Sequence, residues 1–303
     1  MSDLRWDDPV LQWNQEWKGG KPDWRARYRL LQSWYRERIL QAPPGQATHG
    51  RRVDPVGSTL DRDWSNANPR ANFLSQAIAD YAAERLPRDD RVRRNLLSSQ
   101  PLCFNLFGFL RGREHVAAAA LSDVLDIPIA AVTLIRVEWK PKLHPLGDRT
   151  SFDAFVEYVN PAGGRGFLGV ETKYTEAFSR KRSEKPRYTE ITEAPDSGFR
   201  PGAAEQLAHP LTNQLWRNTL LALAVLDQSN YAEGYSVVLH APRDEHIESA
   251  IDAYYAQREE PKSLLRVATY EDLVAAIEEQ PGPDVADWCL RFRQRYLDLT
   301  PVL

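Results

Sequence analysis

The chain is poor in cysteine, with two in 303 residues, so it carries neither a disulfide framework nor the clustered thiols of a zinc knuckle. Cys103 and Cys289 both sit in apolar, helix-like text, which predicts reduced buried thiols in a cytoplasmic protein. Long apolar runs are missing as well, and none approaches the roughly 20 residues that span a bilayer. The opening MSDLRWDDPV is polar and lacks the pattern of a secretory leader, so the expectation is a cytosolic protein without a membrane partner. There is no glycine-rich phosphate loop of the Walker type, no Ser-His-Asp or Cys-His constellation at workable spacing, and no internal repeat. His144 has no second ligand at metal spacing and reads as a surface loop histidine. Positive charge is not in excess either: the net charge is −3, so any affinity for nucleic acid must be regional.

What is present is a dense hairpin signal, TSFDAFVEYVNPAGGRGFLGVETKY, from Thr150 to Tyr174. Two runs rich in β-branched and aromatic residues flank the turn-forming NPAGGRG. Alternation along the second strand puts Phe167, Gly169, Glu171 and Lys173 on one face, and along the first strand Asp153, Phe155 and Glu157 share a face. A twist of the hairpin then brings Asp153 towards Glu171, which gives two carboxylates and one lysine at one end of a sheet. Two carboxylates are hard oxygen ligands suited to Mg²⁺. The metal acidifies a bound water, and a nearby lysine can orient or deprotonate it for attack on a phosphate. Repulsion by the metal and partial burial are expected to favour the neutral amine of Lys173. The bland alternative is a surface hairpin wearing an exposed cross-strand ion pair.

Asp153, a hairpin, then Glu171-Thr172-Lys173 resembles the PD-(D/E)XK nuclease superfamily, in its restriction-endonuclease-like branch. The segment SSQPLCFNLFG, beginning at Ser98, is similar to one found in that branch. The resemblance implies that Asp153, Glu171 and the backbone carbonyl of Thr172 bind the metal, Mg²⁺ with Mn²⁺ able to replace it, and that Lys173 serves the water. It also implies that the helix after the Glu-x-Lys strand points polar residues at the site or the phosphate, a placement matched by Gln214 and Arg217. Helix N-termini and arginine forks both favour phosphate, although an ordinary amphipathic polar face reads the same way. The superfamily often adds an acid from a helix before the sheet. Here that run offers the amides Gln100 and Asn105 instead, with Asn105 a DNA contact or a packing residue. Glu-x-Lys recurs at Glu138-Trp139-Lys140 and Glu260-Pro261-Lys262, and only the copy at Glu171 follows a partner strand carrying an acid.

Around this stretch the chain reads in order as follows. Trp6, Trp13, Trp17, Trp24 and Trp34 crowd the first 42 residues, and Asp23 to Leu40 has the spacing of an amphipathic helix with an arginine-rich face, either a DNA-embracing arm or a helix docked by its aromatics. Ala42 to Ser58 reads as a proline- and glycine-rich connector and a domain boundary, which divides the chain into a helical N-terminal extension, 1–60, and a nuclease-like domain, 61–303. Helices are expected over Asn68–Leu86, Gln100–Leu110 and Arg113–Leu125, then a central strand over Ile127–Lys140. After Tyr174 comes a long polar insertion, functional or disordered, whose Arg180, Lys181, Arg182, Lys185 and Arg187 suit phosphate contacts. Helix Leu211–Gln228, strand Tyr235–Pro242, helix Glu245–Arg258, strand Leu264–Ala268, a helix capped near Thr269 and helix Asp284–Leu297 complete the list. This order implies an α/β fold, a restriction-endonuclease-like mixed-sheet core flanked by helices with an α-helical N-terminal extension. The resemblance spans about residues 90 to 280. The reading that follows is an Mg²⁺-dependent DNA endonuclease acting on duplex, in restriction or other defence, with a homodimer open to it. A binding or assembly protein that keeps the nuclease fold without cutting is the alternative.

Overall fold

The computed structural model describes residues 24–49, 52–179, 181–259, 264–282 and 284–302. Trp6, Trp13, Trp17 and Arg180, together with the Glu260 to Lys262 copy of the motif, lie outside them. The chain divides into two compact units, one of residues 1–109 and 282–303, the other of residues 110–281. This division falls elsewhere than the expected boundary near residue 60.

In the first unit α1 (Trp24–Trp34) runs directly into a π-helical turn, Tyr35–Leu40. Tyr28, Leu30 and Leu31 are buried, and α1 packs on β2 (Arg52–Leu60) and α12 (Val285–Tyr296). It is therefore a docked helix and not a free arm. The expected connector is a hairpin: β1 (Pro44–His49) pairs antiparallel with β2. Proline misled the reading, because a two-stranded ribbon has only edge strands, where a missing N–H costs no ladder bond. Gly45, at the register shift, is required by close approach, since an added Cβ would lie 2.9 Å from the Leu60 carbonyl oxygen. Three short helices follow, α2 (Arg62–Ala67), α3 (Gln76–Arg85) and α4 (Asp90–Arg94). The Ser75 hydroxyl accepts from the Ile78 N–H and caps α3, so this helix starts later than its apolar stripe suggested. On α5 (Ser99–Leu110) Asn105 is fully buried. Its Oδ1 accepts from the Leu74 N–H at 2.8 Å, and its Nδ2 donates to the Asn72 carbonyl at 3.1 Å and the Tyr296 hydroxyl at 2.7 Å. With its amide used up inside the unit, Asn105 is a structural residue, and the DNA contact expected of it is corrected.

The second unit opens with α6 (Glu114–Leu125) and is built on a five-stranded mixed sheet in the order β3-β4-β5-β6-β7. β3 (Ala131–Trp139), β4 (Phe152–Val159) and β5 (Arg165–Lys173) are antiparallel neighbours. β6 (Glu233–His240) and β7 (Leu265–Thr269) continue in parallel with β5. The hairpin is where the sequence placed it, but β3 is an edge strand and β5 the central one. Burial explains the exchange: β3 alternates, with Thr133 and Arg136 exposed, whereas β5 is buried from Gly166 to Lys173. A strand covered on both faces loses its polar alternation.

The segment after Tyr174 is not a long loop. It folds into α7 (Pro186–Thr192), a 3₁₀ turn at Pro195–Ser197 and α8 (Ala203–Leu207). Buried Tyr188, Phe199 and Leu207, spread thinly through polar text, join a core cluster with Leu215 and Trp216 of α9 (Asn213–Asp227). The Trp216 indole N–H donates to the Thr192 hydroxyl at 3.0 Å. α9 and α10 (Glu245–Tyr255) share this cluster with Phe155, Phe167, Val238 and Leu265 of the sheet. α11 (Tyr270–Glu278), capped by Thr269, packs on α6, which also meets β3 and β7. No helix among the described residues is long and apolar enough to cross a membrane.

Candidate active site

β5 brings Glu171, Thr172 and Lys173 to the end of the central strand, where all three are buried, Glu171 with 4% and Lys173 with 6% of its surface exposed. Charges are almost never this deeply buried without partners. The Lys173 Nζ donates to Glu171 Oε1 at 2.5 Å. α9, which packs on β5 and β6, supplies the rest. Gln214 Nε2 donates to the same Oε1 at 2.6 Å, and Asn218 Nδ2 donates to Oε2 at 2.7 Å. Gln214 and Asn218 are one helical turn apart and so share a face of α9. Each Glu171 oxygen therefore has a short donor, and the carboxylate is fixed in rotation.

The paired ladder of β4 and β5 stops at Ala154 and Val170, and Asp153 lies one step beyond. Its Oδ2 accepts from both the Thr172 N–H and the Thr172 hydroxyl, each at 2.8 Å. Asp153 thus reaches the Glu-x-Lys strand through Thr172 and not through Glu171 itself. Its other oxygen takes no hydrogen bond among the described residues. Burial, and next the negative charge of Glu171, hold the Asp153 carboxyl well above the ordinary carboxylate range, against the pull of Lys173 and Thr172. The neutral amine expected of Lys173 depends on the charge of a bound metal, and the protein groups by themselves act in the other direction. Burial opposes its charge, but the Glu171 and Asp153 carboxylates outweigh burial and raise it above the ordinary lysine value.

This donor set fits a hard divalent cation. Two carboxylates held close together repel one another, which adds to burial in raising Asp153, and a cation between them relieves that repulsion. The described residues contain no cluster of three or more His, Cys, Asp or Glu side chains that could hold a metal. The fit therefore rests on two carboxylates and a backbone carbonyl, with water completing the shell.

Arg217, also on α9, is half-buried, and its NH1 lies 3.4 Å from the Thr150 hydroxyl. No carboxylate pairs with it among the described residues, and its Nε is buried without a hydrogen bond. Thr150 is in turn fixed by Asp148, which accepts from the Thr150 N–H and hydroxyl, each at 2.8 Å, and from the Tyr188 hydroxyl. His144 Nε2 lies 2.7 Å from the Thr150 carbonyl oxygen and 3.2 Å from Asp148 Oδ1. It is a half-buried brace for this loop, not a free surface histidine.

The remaining expected contacts divide. Gln214 was expected to face phosphate, but its Nε2 is on Glu171 and its Oε1 accepts from the Ser179 N–H at 2.6 Å. Lys181 and Arg182 are exposed, with Arg182 paired to Glu184, while Lys185 donates to the Gly147 carbonyl and Arg187 pairs with Glu190. Asn218, which donates to Glu171, had no role assigned to it from the sequence; its signal was the four-residue spacing from Gln214. Phe178 was missed too, a buried ring whose centroid lies 5.3 Å from the Lys173 Nζ.

No curated protein and no solved structure matches this chain. A sequence model of the PD-(D/E)XK nuclease superfamily matches residues 20–298, which extends the likeness well beyond residues 90 to 280 and into the N-terminal segment. An acid before the hairpin, a Glu-x-Lys ending the central strand of a mixed sheet and a match over nearly the whole chain agree: this chain belongs to the PD-(D/E)XK nuclease superfamily.

Proposed function

We propose that this protein is a metal-dependent DNA nuclease that hydrolyses phosphodiester bonds in duplex, with Asp153, Glu171 and the Thr172 carbonyl as ligands of Mg²⁺ or Mn²⁺. The observation that carries the reading is the trio of half-buried Asp153 with buried Glu171 and Lys173, oriented by Thr172, Gln214 and Asn218. A fold maintains a buried carboxylate and lysine beside a second carboxylate at a cost in stability, which makes such a cluster a functional-site candidate. When bound there, the cation supplies a more acidic water and neutralises charge developing on the phosphate. Lys173, as the ammonium, donates to and orients the attacking water or a phosphate oxygen. Arg217, a cation with no carboxylate partner, holds the phosphate, and Lys181, Arg182 and Lys185 contact the flanking backbone. Asn218 and Gln214 keep Glu171 from rotating. Such an activity suits restriction or other defence against foreign DNA.

One observation favours the rival reading of a silent binding protein: Glu171 and Lys173 satisfy one another at 2.5 Å in a closed site. The test is incubation of the purified protein with supercoiled plasmid, linear duplex and single strands, in Mg²⁺, Mn²⁺ or chelator. Metal-dependent cutting of duplex that Asp153→Ala abolishes is the expected result. Binding of duplex with no hydrolysis in either metal would establish the rival.

A further inference from the structure

A phosphodiester must reach Glu171 and Lys173, and both are buried. They are 4% and 6% exposed, and the segment between β5 and α7 meets Lys173 through Phe178 and Gln214 through Ser179. Its described parts are 175–179 and 181–185. The Phe178 ring sits against the Lys173 ammonium at 5.3 Å. The Ser179 N–H donates to Gln214 Oε1 at 2.6 Å. Ser183 and Asn213 exchange two hydrogen bonds, each 3.0 Å, from the Ser183 N–H to Asn213 Oδ1 and from Asn213 Nδ2 to the Ser183 carbonyl. Lys185 donates to the Gly147 carbonyl. At the root, Glu176 Oε2 accepts from the Thr175 N–H at 3.1 Å and the Tyr174 N–H at 3.4 Å, closing a turn directly after Lys173. At the far end Pro186 starts α7.

We propose that this segment is a strap that closes the Asp153, Glu171 and Lys173 site in the free protein, and that nucleic acid opens it by drawing the strap's cations onto its phosphates. The proposal rests on the nuclease reading of the site. The segment suits it in two ways. No helix or strand runs through 174–179 or 181–185, so the segment can open locally without unfolding the sheet or α9. Moreover, the partner of Lys185 is a neutral carbonyl, and Lys181 is exposed. A phosphate is the stronger acceptor for both, because charge-assisted hydrogen bonds are about twice as strong as neutral ones. Opening removes Phe178 from Lys173 and frees Gln214 Oε1 from the Ser179 N–H.

The test locks the strap. In the doubly substituted protein Ser183→Cys with Asn213→Cys, oxidation ties the strap to α9 and reduction releases it; the native Cys103 and Cys289 are buried. Single-turnover cleavage of a duplex oligonucleotide in Mg²⁺ should be at least about tenfold slower in the oxidised protein than in the same sample after reduction, as expected when a minor open state is removed. Equal rates would overturn the strap. Amide exchange read in chelator, with and without the duplex, separates this failure from failure of the nuclease reading. If nothing is cut in any state, the nuclease reading falls. The strap still stands if the Ser179 amide, protected in the free protein, exchanges faster once duplex is added to the reduced but not the oxidised sample. Unchanged exchange rejects it.

Discussion

Two Glu-x-Lys tripeptides end strands of the same sheet, Glu138-Trp139-Lys140 on β3 and Glu171-Thr172-Lys173 on β5, and they have little else in common. β3 is an edge strand with Lys140 exposed, and Glu138 takes a left-handed conformation with φ 54. β5 lies between β4 and β6, its backbone is extended, and its glutamate and lysine are both buried. An exposed lysine is surrounded by water and its charge is screened. A buried one is bound to its partners, because water is not there to replace them. The same spacing therefore yields a solvated strand end in one place and a coupled cluster of acids and amine in the other. The difference is supplied by neighbours: β4 brings Asp153, and α9 brings Gln214 and Asn218.

The comparison breaks if the two copies respond alike to substitution. Lys173→Ala should reduce single-turnover cleavage by about 10²–10⁴-fold, while Lys140→Ala leaves the rate within about twofold. Circular dichroism on both proteins would confirm that the first remains folded. Lys173→Arg should also be poor, since the planar guanidinium does not reproduce the position of Nζ beside Glu171.

Stability sharpens the same contrast. Lys173→Met leaves the Glu171 carboxylate buried without its cation and should cost about 3–5 kcal/mol in urea denaturation. The exposed Lys140→Met should stay within about 0.5 kcal/mol. Equal losses would mean that the buried pair is no more coupled than the exposed lysine.

A smaller effect is expected one residue further from the chemistry. Asn218→Ala removes the donor to Glu171 Oε2 and should lower cleavage by about 10–100-fold, as seen where groups behind a ligand are lost, with a stability cost of about 1–3 kcal/mol. Asn218→Asp should be worse than Asn218→Ala, because it sets a second carboxylate against Glu171 at 2.7 Å from the present donor. Activity equal to the unaltered protein in both variants would remove Asn218 from the site.

The smallest predicted effect is in the pH dependence of the metal-free protein. Asp153 binds its proton more tightly folded than unfolded. Its contribution to stability is therefore fully present below the unfolded value near 4 and is lost as pH rises through the folded one. Metal-free protein should melt at progressively lower temperature between pH 5 and 9, and Asp153→Asn, which keeps an acceptor for Thr172, should flatten that slope. Added Mg²⁺ should raise the melting temperature at pH 8 in the unaltered protein and not in Asp153→Asn. A slope unchanged by the substitution would show that Asp153 is not the group responsible.

Much of the fold was legible because its signals are local. Asp244 and Thr269 accept from backbone N–H groups two or three residues on and start α10 and α11 close to where their side chains announced them. The β4 and β5 hairpin followed from period-two alternation around a turn. The failures came where several distant residues act together. Prolines suggested a connector where β1 and β2 form a ribbon. The apolar run of β3 resembled a central strand. The core residues of α7 and α8 are too sparse to show a periodicity.

By itself the sequence determined that Asp153, Glu171 and Lys173 meet at one end of a hairpin, since strand period and turn length are set by residues within 25 positions of one another. It could not determine what solvates them. The amides that hold Glu171 come from 43 and 47 residues away, Lys173 is raised because two carboxylates outweigh burial, and the segment after β5 is fixed by α9 and the Gly147 loop. Those outcomes depend on which groups exclude water from which others, a property that exists only once the sheet and α9 have packed.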